Sequence, residues 1–95
     1  MNWQLQLENE VLIELGKRIK SLRKNAGMNQ TQLAERVGVS RVSISEIERG
    51  SNTTITTFLR ILKVFNRLDA LEEILQVPSI SPKELFEQQS KKRKP

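Results

Sequence analysis

Residues 30–50 read QTQLAERVGVSRVSISEIERG, and their spacing decides the fold. Leu33, Ala34 and Val37 fall on one helical face. Gly38 follows at once, where a left-handed residue ends a helix without steric cost. Ser40 is then a good N-cap for a second helix. On that helix Ile44, Ile47 and Glu48 share one face, while Val42, Ser45, Glu46 and Arg49 share the other. Two short helices joined by so tight a turn make a helix-turn-helix. Such a unit lays its second helix in the major groove of duplex DNA.

Working outward, Val11, Leu12, Leu15, Ile19 and Leu22 form an apolar stripe on a first helix from about Asn9 toward Gly27. Lys17, Lys20 and Lys24 lie off that stripe. Asn29 caps the second helix, predicted over 30–37, and the third is predicted over 41–49 with Gly50 at its end. After a polar loop at 51–53, Thr54 caps a fourth helix with Ile55, Phe58, Leu59, Leu62 and Phe65 at core spacing. Asn66 and Arg67 break it, and Asp69 caps or opens a short fifth helix carrying Leu71, Ile74 and Leu75.

The ends are less regular. Trp3, Leu5 and Leu7 alternate with polar residues, as in a half-buried strand, though the same segment could extend the first helix. It packs either on its own domain or on a partner. Pro78 and Pro82 favour an extended path over 77–81. Ser81-Pro82-Lys83-Glu84 then has the form of a capping box opening a short helix through Glu87. The basic end, residues 90–95, has nothing to bury and is expected to be disordered. The expected organisation is an arm over 1–8, a helix-turn-helix domain over 9–76 and a C-terminal extension over 77–95.

With 95 residues the chain suits one small domain, whose core is marginal enough to favour an added interface. It has no Cys and no His, so the usual thiolate nucleophile, general base and zinc ligands are missing. Those absences point away from an enzyme, and no cofactor or metal is expected. No apolar run approaches the roughly 20 residues of a membrane span. Glu8, Glu10 and Glu14 stand where a signal peptide would be basic and then apolar, so a cytoplasmic protein is expected. The net charge of +5 is uneven. Residues 16–67 hold eleven Lys and Arg against three acidic residues, and this basic block coincides with the helix-turn-helix. A concentration of that kind is the electrostatic footprint of phosphate binding.

The same residues carry a family resemblance. Asn29-Gln30, Leu33-Ala34, Gly38-Val39-Ser40, Ile44-Ser45, Ile47-Glu48 and Gly50 resemble the Cro/cI-type (XRE) helix-turn-helix family. With residues 15–23 before and 55–65 after, the resemblance covers about half the chain. It implies an all-α, compact five-helix, lambda-repressor-like domain. The segment NTTITTFLRIL, residues 52–62, further resembles the antitoxin of Hip-type toxin–antitoxin modules. The long N-terminal arm and the Pro-containing C-terminal extension depart from that pattern.

The third helix is the expected reading helix, because Ile44 and Ile47 must face inward. Arg41, in its first turn, can meet the two acceptors of guanine with a planar fork. Val42 offers a methyl surface to thymine, and Ser45 can bond a base or a phosphate. Glu46 can accept from a cytosine amine or repel wrong sites. In the resembling family these outward positions read bases. Backbone anchoring is a separate task. Gln30, at the start of the second helix, stands where free N–H groups favour a phosphate, and the resembling family uses a Gln there for that purpose. Ser43, Arg49, Asn52, Thr53 and Thr56 are further phosphate candidates, although Thr53, Thr54 and Thr56 are equally explained as turn and capping residues. Glu48 falls toward the inner face. The resemblance pairs it with an Arg on the first helix, the place Arg23 occupies, as a structural lock on the third helix. A buried Glu48 without that partner would cost on the order of 3–5 kcal/mol.

These observations imply a sequence-specific regulator acting as a homodimer on a near-palindromic DNA operator. The most specific form is an antitoxin that represses its own operon and binds a kinase-type toxin. A phage or restriction-controller regulator fits the core equally. A bridging module of the same fold that binds no DNA is the third reading, disfavoured by the basic block. The expected dimer contact is Leu68–Ile80, with Trp3–Leu7 as second choice. The tail Lys91–Lys94 either adds non-specific affinity for phosphates or merely solubilises.

Overall fold

The structure, a computed structural model, describes residues 1–78 together with residues 82, 83, 86 and 87. Every regular element among them is helical. In chain order these are a 3₁₀ turn at Trp3–Leu5, α1 (Glu8–Asn25), α2 (Gln30–Val37), α3 (Arg41–Glu48), α4 (Ile55–Val64), a second 3₁₀ turn at Leu68–Ala70, and α5 (Leu71–Ile74). Residues 82, 83, 86 and 87 are also helical. The expectations for Ser81, Glu84 and the basic tail lie outside the described residues. No helix among those described is long and apolar enough to cross a membrane.

Local capping sets the boundaries. Asn29 Oδ1 accepts from the Gln32 N–H at 2.8 Å while Gln32 Oε1 accepts from the Asn29 N–H at 2.8 Å, a reciprocal box at the start of α2. Ser40 Oγ accepts from the Ser43 N–H, and Thr54 Oγ1 from the Thr57 N–H, each at 3.1 Å. Each such cap contributes about 1 kcal/mol. Gly38, at φ 85°, ends α2 in the left-handed region and turns the chain toward α3. Asn66, at φ 57°, does the same after α4, a conformation that Asn tolerates better than most residues.

The core is shared by α1 to α4, and Leu33 of α2, Ile44 of α3 and Ile61 of α4 are fully buried in it. Burying each contributes about 1.5–3 kcal/mol. Ile19, Met28, Ala34, Val37 and Ile47 complete the cluster. α3 packs on both α1 and α2. Its contact with α1 includes Gly16, which is buried on the inward face. A Cβ there would stand 2.5 Å from the Ile47 carbonyl oxygen and 2.7 Å from that of Glu48. The two backbones approach as closely as they do because residue 16 has no side chain.

Three expectations are corrected. Trp3–Leu5 is neither a strand nor a continuation of α1 but a separate 3₁₀ turn. It is held by Arg18, whose guanidinium lies 4.9 Å from the Trp3 ring centroid and whose Nε donates to Glu14 Oε2 at 3.0 Å. On α4 the inward stripe is only partly as expected: Phe58, Leu59, Leu62 and Phe65 are half-buried, but Ile61, outside the expected set, is the buried residue, and Ile55 is 77% exposed. Ile55 is the first residue of the helix and flanks an open cleft with Leu12, Leu15 and Phe58 instead of closing it. The single fifth helix is split into the Leu68–Ala70 turn and one turn of α5, with Asp69 inside the 3₁₀ turn and no buried residue in either piece. Ile74 and Leu75 are exposed.

Candidate nucleic-acid interface

α3 presents two chemically different faces. Ile44, Ile47 and Glu48 point into the domain, and Arg41, Val42, Glu46 and Arg49 are exposed on the other side. Ser45 is half-buried, at the border between the faces. The split follows from the sequence, since only Ile44 and Ile47 supply apolar surface that α1 and α2 can cover. Val42, 52% exposed, is an aliphatic residue left in solvent between polar neighbours.

Beneath this face lies a buried ion pair. Arg23 of α1 and Glu48 of α3 are each 7% exposed. Arg23 Nε donates to Glu48 Oε2 at 2.7 Å and Nη2 to Glu48 Oε1 at 3.1 Å, a two-point geometry. The remaining Nη1 donates to the Met28 carbonyl at 2.8 Å. The hydrogen bonds to Glu48 push the Arg23 pKa above its ordinary value, against the opposing effect of burial, with the Glu48 charge adding to the rise. Among the described residues no buried side-chain polar atom lacks a partner. The pair therefore sits in a satisfied network.

Gln30 opens α2 beside the first turn of α3. Its Nε2 donates to Glu48 Oε1 at 3.2 Å and its Oε1 accepts from Arg41 Nη1 at 3.1 Å. Gln30 and Arg41, expected as anchor and reader, are thus in direct contact. Ser43 Oγ and Ser40 Oγ lie 2.9 Å apart, so the Ser43 hydroxyl shares a local bond at the cap. Asn52 Oδ1 accepts from the Thr53 N–H at 2.8 Å, shaping the loop before α4, and Thr56 is exposed on the first turn of that helix. Arg49 follows α3 as its exposed C-cap. The Gln30–Arg41 bond joins α2 to the exposed face of α3, whereas Asn52 and Thr53 lie on the loop before α4 and Thr56 on its first turn.

Sequence reasoning missed two contributors to this site. Gly16 sets the distance of α3 from α1, and its signal was a glycine inside an otherwise regular helical stripe. The Met28 carbonyl, which holds the third Arg23 nitrogen, gave no side-chain signal at all.

Comparison with known proteins agrees with this architecture. A family described as Helix-turn-helix matches residues 19–72, more than half of the chain. The chain belongs to the XRE-type helix-turn-helix family. It is 37% identical over 51 residues to Antitoxin HipB of Escherichia coli K12, covering 53% of this chain and 58% of HipB. It is 42% identical over 48 residues to Antitoxin PezA of Streptococcus pneumoniae serotype 4, covering 50% of this chain and 30% of PezA. A Pyrococcus furiosus protein, PF1851, named as a proposed HTH-type transcriptional regulatory protein, is 35% identical over 72 residues. That match covers 75% of this chain and 20% of PF1851. The shared region therefore spans less than two thirds of each relative.

Proposed function

We infer that this chain is a sequence-specific DNA-binding regulator. It acts as a homodimer on a near-palindromic operator, and represses its own operon as the antitoxin partner of a kinase-type toxin. The observation that carries the DNA reading is the two-faced α3. Its apolar face is used up by the core, and its exposed face gathers Arg41, Val42, Glu46 and Arg49 with Gln30 alongside. In this reading Arg41, Val42, Ser45 and Glu46 meet base edges. Gln30, Ser43, Arg49, Asn52, Thr53 and Thr56 meet phosphates. Two of the compared relatives are antitoxins by name, and their similarity supports the antitoxin role. The Hip-like segment over 52–62 supports a kinase-type toxin as the partner.

The deciding experiment has two arms. Anisotropy of a labelled duplex from upstream of the chain's own gene should show tight binding that weakens by about 0.9 log unit per log unit of salt for each phosphate neutralised. Binding without sequence preference or salt dependence would remove the DNA reading. Co-expression with the product of the neighbouring gene should yield a stable complex that relieves that product's toxicity. A harmless neighbour, or one that does not co-purify, would remove the antitoxin role and leave a plain regulator.

A further inference from the structure

A second apolar surface lies beside the core. Leu12 and Leu15 of α1 line an open cleft with Ile55 and Phe58 of α4. Leu12, Leu15 and Phe58 are half-buried, and Ile55 is exposed. The two helices leave this cleft open, because α1 packs on α3 and α4 on α2. With Ile61 turned into the core, α4 still carries Phe58, Leu59 and Leu62 half-buried on a neighbouring side. Further along α1 the character changes. Arg18, Ser21, Leu22 and Asn25 line a second cleft with Arg67, which follows α4. One flank of α1 is therefore apolar toward its start and basic toward its end.

The chain carries a matching segment at its other end. Ile74, Leu75 and Val77 are exposed, and α5, which packs on the 3₁₀ turn before it, has no buried residue. Glu72 and Glu73 stand immediately before Ile74. Among the described residues, Arg67, Glu72 and Glu73 form no ion pair. A segment with two acidic residues followed by apolar ones complements a flank that is basic and then apolar. The chain's own clefts do not take it, since Ile74 and Leu75 stay 67 and 75% exposed in the single chain.

We propose that the cleft between α1 and α4 is the seat for residues 72–77 of a second copy, each chain placing its segment in the other's cleft. The proposal rests on the homodimer reading above and deepens it, by naming the surface that receives α5. A two-fold contact is reciprocal, so each chain gives and receives the same groups. Exchange covers Ile74, Leu75 and the cleft floor at both seats. Packing segment against segment would cover Ile74 and Leu75 but leave Leu12, Leu15, Ile55 and Phe58 facing water. In the exchanged form Arg18 and Arg67 meet Glu72 of the partner subunit and Glu73 of the partner subunit. Asn52, Thr53 and Thr54 line the apolar cleft as well. A partner seated beside that loop ties the spacing of the two α3 helices to the dimer contact, and with it the spacing of the half-sites.

Sedimentation equilibrium on the full chain tests this with wild type, Ile55→Asp, Ile74→Asp/Leu75→Asp, and an equal mixture of the two variants. Ile55 is exposed at the start of α4, so its variant should keep the helicity of wild type by circular dichroism. Loss of one apolar contact is expected to weaken each seat about tenfold, and the Ile55→Asp homodimer, with two seats, about 100-fold. The mixture should pair more tightly than either variant alone, because one seat of the mixed dimer joins an intact segment to an intact cleft. A charge arm touches no buried residue: Arg67→Glu should weaken pairing, and adding Glu72→Lys and Glu73→Lys to the same chain should restore it in part. An Ile55→Asp chain that dimerises as wild type does would overturn the proposal and set the two segments against each other instead. A mixture no tighter than its components, or a triple charge variant no tighter than Arg67→Glu, would overturn it as well. A wild type that stays monomeric at micromolar concentration would defeat the homodimer reading itself, and the seat with it.

Discussion

The α-carbon of Gly16 faces the carbonyl oxygen of Ile47, so that a Cβ on residue 16 would lie 2.5 Å from it. The atoms in the way are backbone, and no side-chain rotation relieves the contact. α1 and α3 can therefore separate only as whole helices. Because α3 carries the exposed polar face, this contact helps set how closely that face sits on α1.

Gly16→Ala tests that dependence. Alanine favours a helix interior by about 1 kcal/mol over glycine. Overpacking against fixed atoms costs about 1–3 kcal/mol, and three backbone atoms here would lie within 3 Å. The net expectation is a loss of up to about 2 kcal/mol. At about 4–8 °C per kcal/mol for a domain of this size, thermal melting should detect it easily. A melting point at or above that of wild type would show that the helices adjust freely.

Arg23→Met should cost about 3–5 kcal/mol, because Glu48 would be left buried without its partner. Arg23→Met combined with Glu48→Leu should recover much of that loss, which urea denaturation of the three proteins would measure. Equal destabilisation in the single and double variants would mean that the Arg23 stem, and not its charge, is what matters. The pH dependence has a definite sign. The raised Arg23 pKa gives stability that is complete below the unfolded-state value and is lost only as pH rises through the still higher folded-state value. Arg23 should therefore contribute no pH dependence across the neutral and mildly alkaline range.

Arg49, exposed at the end of α3, separates anchoring from reading. If it neutralises one phosphate, Arg49→Ala should lower the slope of log affinity against log salt by about 0.9. Base preference in the selected sites should stay unchanged. A changed preference with an unchanged slope would move Arg49 into the base-reading set.

Ile74, Leu75 and Val77 are 67, 75 and 74% exposed, close together at the end of the domain. The homodimer reading places its interface there. Ile74→Asp with Leu75→Asp should halve the mass measured by light scattering at micromolar concentration and weaken operator binding. The melting transition of the core should be retained, since neither residue is buried. A variant that stays dimeric would shift the interface to the arm at Trp3–Leu7.

Local signals were legible in the sequence, and long-range ones were not. Asn29, Gly38, Ser40 and Thr54 act on backbone atoms a few residues away, so composition alone located the boundaries of α2, α3 and α4. On α4 Ile55 was wrongly set inward and Ile61 missed, because Ile55, Phe58, Leu59, Ile61, Leu62, Val64 and Phe65 put apolar surface on more than one side. Periodicity cannot rank such faces, and the choice falls to the packing of α2 and the core. Gly16 looks like a weakness in a helix until the backbone of α3 is placed against it. Gln30 was placed correctly at a helix start, but its bonding partners sit 11 and 18 residues further along the chain. Trp3 was ambiguous because its orientation depends on stacking with Arg18, which alternation does not encode.

The split of the fifth helix has a consequence for the lifetime of the molecule. The Leu68–Ala70 turn and α5 contain no buried residue, whereas α1 to α4 share one cluster. Amides of the last turn should exchange with solvent through small, frequent openings, while those around Leu33, Ile44 and Ile61 should require global unfolding. The chain then carries two clocks. In the undimerised chain a protease would find its first foothold near Ile74 while the helix-turn-helix was still intact, so clipping there would remove the proposed dimer contact and leave the proposed DNA-binding unit.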